Sequence, residues 1–480
     1  MNQEGLIDIQ GVEQDGTHIR EEQSKSSKMP WTSLEEKLKN LSELIPPTNC
    51  CIYKAPKRLR EGNEKAYTPQ IVSIGPLHHG EEHLKFMEEE KQRYLKEFLT
   101  RTQVSVKELF DLITKNEEKL RSCYAETINF NRDEFVEIIL VDAAFIVELL
   151  LRYTFQKMRK KEDHIFGQPY LIQDLWYDMW LLENQIPFFI LEEIFNLEKV
   201  SKSIPAGAAT PQERKPRIID LTYEYFKSLE AVNGKLKKFE GTEKNVEVKH
   251  FTDFLRICHL PSPEEKKRQE TEKLKLKQEK EKLGKSKKEK RKEVVTAPSV
   301  IQLHQAGAKF KLSESKESFQ INFRNGTLEI PQLKLQLETE SLFRNLIAFE
   351  QRHYADNYIN DYVFIIHHLA NTPKDIELLV EKQIIENWLP DKEGASTLLN
   401  NLSRGTTLDP DRYYFSVLCE EMEKYRGKSY NKWRANLIQN YFSTPWASIS
   451  VVGAVFLILL TVIQAVFSVI QVKIQQNGCS

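Results

Sequence analysis

The chain has 480 residues, with 69 Lys and Arg against 70 Asp and Glu, a formal net charge of −1. At 40% hydrophobic and 29% charged residues it has the composition of a folded protein of ample length for a large core. The balance gives no electrostatic case for nucleic acid. The six cysteines form no C-x-x-C pattern, and Cys50 and Cys51 are adjacent, so reduced thiols are expected rather than a disulfide framework or a zinc site.

Residues 1–30 are charged and lack aromatics, which predicts a disordered tail. Residues 1–28 hold no apolar h-region, so no cleaved leader is expected. The rest reads as a mainly α protein: one large helical domain over 31–440, with a small β-hairpin element and a C-terminal transmembrane helix. "WTSLEEKLKNLSEL" reads as a first helix that Pro46 and Pro47 end. The stretch "IVSIGPLHHGEEH" has Gly75, Pro76 and Gly80 marking a loop, with helix resuming near Glu81 or Glu82. "EHLKFMEEEKQRYLKEFLTR" places Leu84, Met87, Tyr94, Leu95 and Phe98 near one face. "RDEFVEIILVDAAFIVELLLRYTF" is apolar nearly all round and predicts a central buried helix. "LIQDLWYDMWLLENQIPFFILEEIF" reads as another apolar helix, bent or broken at Pro187.

Thr222 to Leu260 also reads as helix, with Pro261 and Pro263 after it. A charged segment over 261–297 follows, in which Glu264 to Glu293 carries fourteen Lys and Arg against eight Glu. It reads as a solvated linker or a single charged helix. Its "KSKKEKRK" run has the form of a nuclear import signal or an acidic-lipid site. "SFQINFRNGTLEI" alternates Phe319, Ile321 and Phe323 with polar residues before Asn325-Gly326, a hairpin signal. Helix returns through the 411–440 region.

From Phe442 to Val472 no residue is charged, and Trp446 to Ile470 is long enough to cross a bilayer core. Within it Phe456 is apolar surface for lipid, Gln464 is expected to face a partner helix, and Trp446 stands where an aromatic belt belongs. Lys424, Arg426, Lys428, Lys432 and Arg434 precede the span and Lys473 alone follows it. The positive-inside rule then puts the body in the cytosol, on the plasma membrane or an endomembrane, with a short tail over 471–480. The sequons at Asn40, Asn325 and Asn401 would be idle in that orientation.

Six strings carry a likeness: "AYTPQIVSIGPLHHG", "FMEEEKQRYL", "VDAAFIVELLL", "DMWLLENQIPFFIL", "LFRNLIAFEQ" and "YFSTPWASISVVGAVFLILLTVIQ". Their order and spacing resemble the plant family called domain of unknown function 247, also termed uncharacterised protein family 0481, over about Trp31 to Ile470. The resemblance implies a plant membrane protein with one C-terminal span and no accepted enzymatic activity. It includes grass proteins associated with male-side recognition in self-incompatibility. It marks Gly75, Pro76, Asp142, Glu183, Asn184, Gln185 and Pro187 as motif positions with structural roles. Leu77 stands where the family has an aromatic residue, and Asp142-Ala143-Ala144-Phe145 and Lys54-Ala55-Pro56 also depart from its pattern.

Three groups of residues offer chemistry. His78, His79 and His83 are weak metal candidates: Gly80 follows His79 where a zincin needs Glu on a helix, and the i, i+4 pair His79 and His83 would still require a third ligand. Glu183, Asn184 and Gln185 are polar groups inside an apolar run, read as a hydrogen-bonded plug at the Pro187 break. Asp142 is a carboxyl among apolar neighbours, either a general acid or an acceptor for a buried cation or N–H. Asp174 and Asp178 share a helix face but lack further metal ligands. No cofactor, catalytic residue or small-molecule substrate is predicted. The expected partners are the bilayer and an unidentified protein, and the expected role is recognition or signalling at a membrane. The alternative is a metal- or carboxylate-dependent enzyme, in the metal case a hydrolase, using the His78, His79 and His83 loop.

Overall fold

The computed structural model describes residues 49–205, 215–229, 231–239, 246–282, 296–315, 317, 319–441 and 445–477, together with Trp31 and Glu35. The chain forms two compact units, Met1–Thr48 and Asn49–Ser480. In the first, Trp31 and Glu35 are helical; the expected tail and the Asn40 sequon lie outside the described residues.

The second unit is mainly helical, with small sheets and an apolar C-terminal helix. Its centre is α1, Lys85–Thr102, packed along α2, Arg132–Thr154. The start of α2 is fixed by a capping box: Asn131 Oδ1 accepts from Glu134 N at 3.0 Å, and Glu134 Oε2 accepts from Asn131 N at 3.1 Å. From Ala143 to Leu151 nothing on α2 is left to water, as expected of a central helix. Charged groups between α1 and α2 are paired: Arg101 Nη2 meets Glu148 Oε2 at 2.8 Å, and Arg152 meets Glu97 of α1 while its Nη1 reaches Asp163 Oδ2 in the loop after α2 at 2.7 Å.

Two expected helices are broken. The apolar run after Gln168 is helical over α3, Pro169–Asp178, and again over α4, Phe188–Phe195, but residues 179–187 between them are irregular. The physical reason is competition from side chains. Gln185 Nε2 donates to the carbonyls of Met179 (2.7 Å) and Leu181 (2.8 Å), and Asn184 Nδ2 donates to that of Asp178 (3.1 Å). These bonds replace helical ones, and Pro187 disfavours helical geometry just before it. Among the described residues the Thr222–Leu260 stretch is α-helical only at its start, as part of Ile218–Phe226, and over α5, Phe251–His259; Gly234 at φ +76° and a short 3-10 turn at Leu236–Phe239 lie between.

Within the charged segment, α6 spans Pro263–Lys282 and lies on the body. Gln320 Nε2 donates to Glu265 Oε2 (2.9 Å), Arg268 Nη2 to Asn322 Oδ1 (3.0 Å) and Lys273 Nζ to the Asp411 carbonyl (2.8 Å). Residues 283–295, with "KSKKEKRK", lie outside the described residues.

The hairpin forms as read: β2, Asn322–Arg324, pairs antiparallel with β3, Thr327–Ile330, through Asn325 (φ +51°) and Gly326 (φ +76°), the backbone of a type I′ turn. The sequence did not announce β1, Lys309–Leu312, which runs parallel to β3, nor the parallel pair β4, Leu333–Leu335, with β5, Ile385–Asn387. Beyond them lie α7, Leu337–His353, and α8, Tyr358–Leu369. The chain then runs through α9, Ser416–Arg426, and α10, Ser429–Tyr441, to α11, Pro445–Asn477. Within α11, Val452–Ile470 has a mean hydropathy of 2.5 and none of it is buried.

Candidate functional site: a polar clip beside an acidic cleft

Residues 68–76 contain almost no regular structure, yet Val72 to Gly75 are buried. A buried loop must find partners for its peptide groups. Here side chains from α1, α2, α3 and the irregular 179–187 segment supply them. Asp178 accepts from Gln70 N (2.9 Å), Ile71 N (2.8 Å) and Val72 N (2.9 Å). Asn184 Oδ1 accepts from Ile74 N (2.7 Å), and its Nδ2 donates to the Val72 carbonyl (3.0 Å). Asp142 Oδ2 accepts from Gly75 N (2.7 Å), while its Oδ1 takes Lys91 Nζ at 2.5 Å. Lys91 Nζ also donates to the Ser73 carbonyl (2.8 Å) and faces Glu88 Oε1 at 2.7 Å.

The remaining motif residues close the arrangement. Gln185 Oε1 accepts from Phe251 N (2.9 Å), tying the break to α5. Glu183 Oε1 accepts from Ala55 N (2.8 Å), and its Oε2 takes the Arg60 guanidinium. Gly75 sits at φ +75°, where a Cβ would stand 2.5 Å from the Gln185 carbonyl oxygen. Pro76 follows in the loop, and Pro187 caps α4. The expected plug is thus an interlocked clip between two irregular segments.

Burial pushes the Asp142 carboxyl up from its ordinary 3.8, against the pull of the Lys91 ammonium and the Gly75 N–H. Burial likewise raises Asp178 to about 6, opposed by its three N–H donors. Asp178 is therefore an anchor for the loop, and Asp174 does not join it as a ligand pair.

The three histidines point to different partners. His78 is buried, with Nδ1 2.7 Å from Glu81 Oε1 and Nε2 3.5 Å from Glu183 Oε2. His83 Nε2 lies 3.1 Å from the Pro69 carbonyl. His79 packs edge-on against Phe130 and faces Glu88 Oε2 at 4.0 Å. Among the described residues no three His, Cys, Asp or Glu side chains converge as a metal set.

Beside the clip opens a cleft of about 400 Å³, lined by His79, Glu88, Phe130, Glu134, Glu137 and Asp142. Among the described residues His79 Nδ1 has no hydrogen-bond partner. The wall carries acidic groups and one aromatic ring, which suits a cationic segment electrostatically.

Lys91, the centre of the clip, was not singled out from the sequence. Its signal was positional: it stands four residues after Met87 and three before Tyr94, on the stripe that faces the core.

Comparison with known proteins bears on the whole chain. A family model described as plant protein of unknown function matches residues 52–460. A UPF0481 protein of Arabidopsis thaliana is 30% identical over 450 residues, covering 91% of this chain and 90% of the relative. Another UPF0481 protein of that plant is 26% identical over 484 residues, covering 86% of this chain and 89% of the relative. No solved structure matches the chain.

Proposed function

The chain belongs to the plant family of domain of unknown function 247, and from that premise we propose that it is a single-pass membrane protein whose helical body recognises another protein at the cytosolic face. One observation carries the anchor: the nineteen residues Val452–Ile470 are apolar and wholly uncovered by the body. Phe456 is 62% exposed and Ile470 46%. Such a surface is costly in water and stable in lipid. The polar groups within it suit lipid too. Thr461 Oγ1 donates to the Leu457 carbonyl and Ser468 Oγ to that of Gln464, each at 2.8 Å, so the hydroxyls are satisfied inside the helix. Gln464 is exposed and free to meet a partner helix. Trp446 lies in α11, but its side chain is outside the described residues. The five basic residues before the span support the cytosolic orientation.

Recognition is favoured over catalysis by how the polar residues are used. The clip spends its carboxylates and amides on backbone groups and on the cations Lys91 and Arg60, while the open cleft presents Glu88, Glu134, Glu137 and the Phe130 ring to an incoming basic segment. The test is alkaline carbonate extraction of membranes from plant cells expressing the full chain or a chain ending at Asn440. The full chain is expected to stay in the pellet and the shortened one to be released. Release of the full chain would overturn the anchor.

A further inference from the structure

The last acidic residue of the chain is Glu423, and Arg426 Nη2 pairs with it at 2.7 Å. Beyond it, Lys424, Arg426, Lys428, Lys432 and Arg434 crowd into eleven positions with no carboxylate among them. Most of this positive charge sits on and just before α10, the helix that leads into α11.

α10 has two unlike sides. One is turned to the body. Asn431 is buried there and its Nδ2 donates to the Tyr425 carbonyl at 2.8 Å. The Arg434 guanidinium lies against Gly307, where an added Cβ would stand 2.6 Å from Nη1. The other side carries Tyr430, 68% exposed, and Trp433, 61% exposed, three residues apart and so on one face. Lys428 and Lys432 are exposed beside them.

Two large exposed amphipathic rings next to two ammonium groups, Lys428 near the Tyr425 ring and neither with a carboxylate partner among the described residues, make poor sense for a soluble surface. They make good sense at a bilayer boundary. There the rings rest at the level of the headgroups and the lysines reach phosphate. The position along the chain agrees, because only residues 442–444 separate α10 from α11.

We infer that Tyr430, Trp433, Lys428 and Lys432 form a docking face for anionic phospholipid headgroups of the leaflet that α11 enters. α10 then lies in the plane of the interface, and its buried side holds the body close to the membrane rather than on a free tether. The mixed charge of α6, with eight Lys and Arg against six Glu, does not offer a comparable face. The inference rests on the anchor reading above.

The experiment reconstitutes the full chain into vesicles of phosphatidylcholine alone or of phosphatidylcholine with phosphatidylserine. Insertion is checked by carbonate resistance, and lysine reactivity is read by acetylation and mass spectrometry. Lys428 and Lys432 are expected to react about fivefold more slowly when phosphatidylserine is present, with Lys267 and Lys275 of α6 unchanged. High salt should erase the difference without releasing the protein. The variant Trp433→Ser keeps both lysines and is expected to show weaker protection. Equal reactivity in the two vesicle types, with the protein inserted, overturns the docking face and leaves the anchor standing. Failure to insert in either vesicle overturns both.

Discussion

Replacing Lys91 with Met removes the cation paired with Asp142 inside the clip. Lys91 and Asp142 side chains are each 1% exposed, and Nζ lies 2.5 Å from Oδ1. Without Lys91 the Asp142 carboxylate keeps only the Gly75 N–H, and the Ser73 carbonyl loses its donor. Breaking a buried pair from one side costs about 3–5 kcal/mol, a large part of the roughly 5–15 kcal/mol that holds a domain. Adding Asp142→Asn removes the stranded charge while keeping an acceptor for Gly75, so the double variant is expected to recover about 1–3 kcal/mol. The linkage has a definite sign. A carboxyl whose folded pKa is raised binds its proton more tightly folded than unfolded, so its favourable contribution is complete below the unfolded value and disappears as pH rises through the folded one. The Lys91→Met deficit should therefore shrink in acid. The assay is urea unfolding of the full chain in detergent micelles, followed by the fluorescence of the buried Trp180 and of Trp176, which packs against the core. A loss below about 1 kcal/mol for the single variant, or a double variant no more stable than the single, would refute the reasoning.

Other consequences can be measured in the same way. Gly75→Ala forces a side chain into φ +75° and to within 2.5 Å of the Gln185 oxygen, whereas Gly80→Ala meets strain at φ +86° but nothing within 4 Å. Thermal unfolding should therefore show Gly80→Ala costing about 1–2 kcal/mol and Gly75→Ala clearly more. Glu350, which caps α8 through Ile359 N (2.8 Å) and Asn360 N (3.0 Å), is raised by burial to about 7 against the pull of Arg256. Its contribution is complete below the ordinary 4.5 and declines as pH rises toward about 7. Glu350→Gln should flatten the pH dependence of stability across that window, and an unchanged slope would contradict the assignment. Asn184→Leu strips the Ile74 N–H and Val72 carbonyl of their partner. Protease should then cut the 68–76 loop faster than in the parent chain, since each orphaned group costs about 1–3 kcal/mol.

What could be read from the sequence followed the range of the interaction. The apolar C-terminal helix, the central helix α2 and the Asn325-Gly326 hairpin announce themselves through composition, periodicity or a local turn, and each forms. The break at 179–187 was legible as polar residues before a proline, but its length was not, because it depends on the bonds that Asn184 and Gln185 make to specific carbonyls. β1, β4 and β5 were invisible for a different reason. Each is three or four residues long and pairs in parallel with a distant segment, a contact that leaves no periodic mark.

The site shows the same division. Motif residues such as Asp142, Asn184 and Gln185 stood out as polar groups in apolar surroundings, which is the correct signature of a buried acceptor or donor. Their partners did not stand out, because most are backbone groups of the 70–75 loop, and any residue type supplies a peptide N–H. His78, His79 and His83 looked alike in the string, yet a tight loop turns them toward Glu183, Phe130 and the Pro69 carbonyl in turn. Spacing along an irregular segment does not fix direction, which is why histidine spacing there is a weak guide to ligation.

The most direct test of the account is topology. Sealed microsomes from plant cells expressing the full chain are treated with protease from outside, with glycosidase sensitivity measured in parallel. The account predicts that the body is digested and that Asn325, at the exposed hairpin turn, and Asn401 carry no glycan. Protection of the body with glycan on either residue would contradict the cytosolic orientation and place the acidic cleft on the opposite side of the membrane.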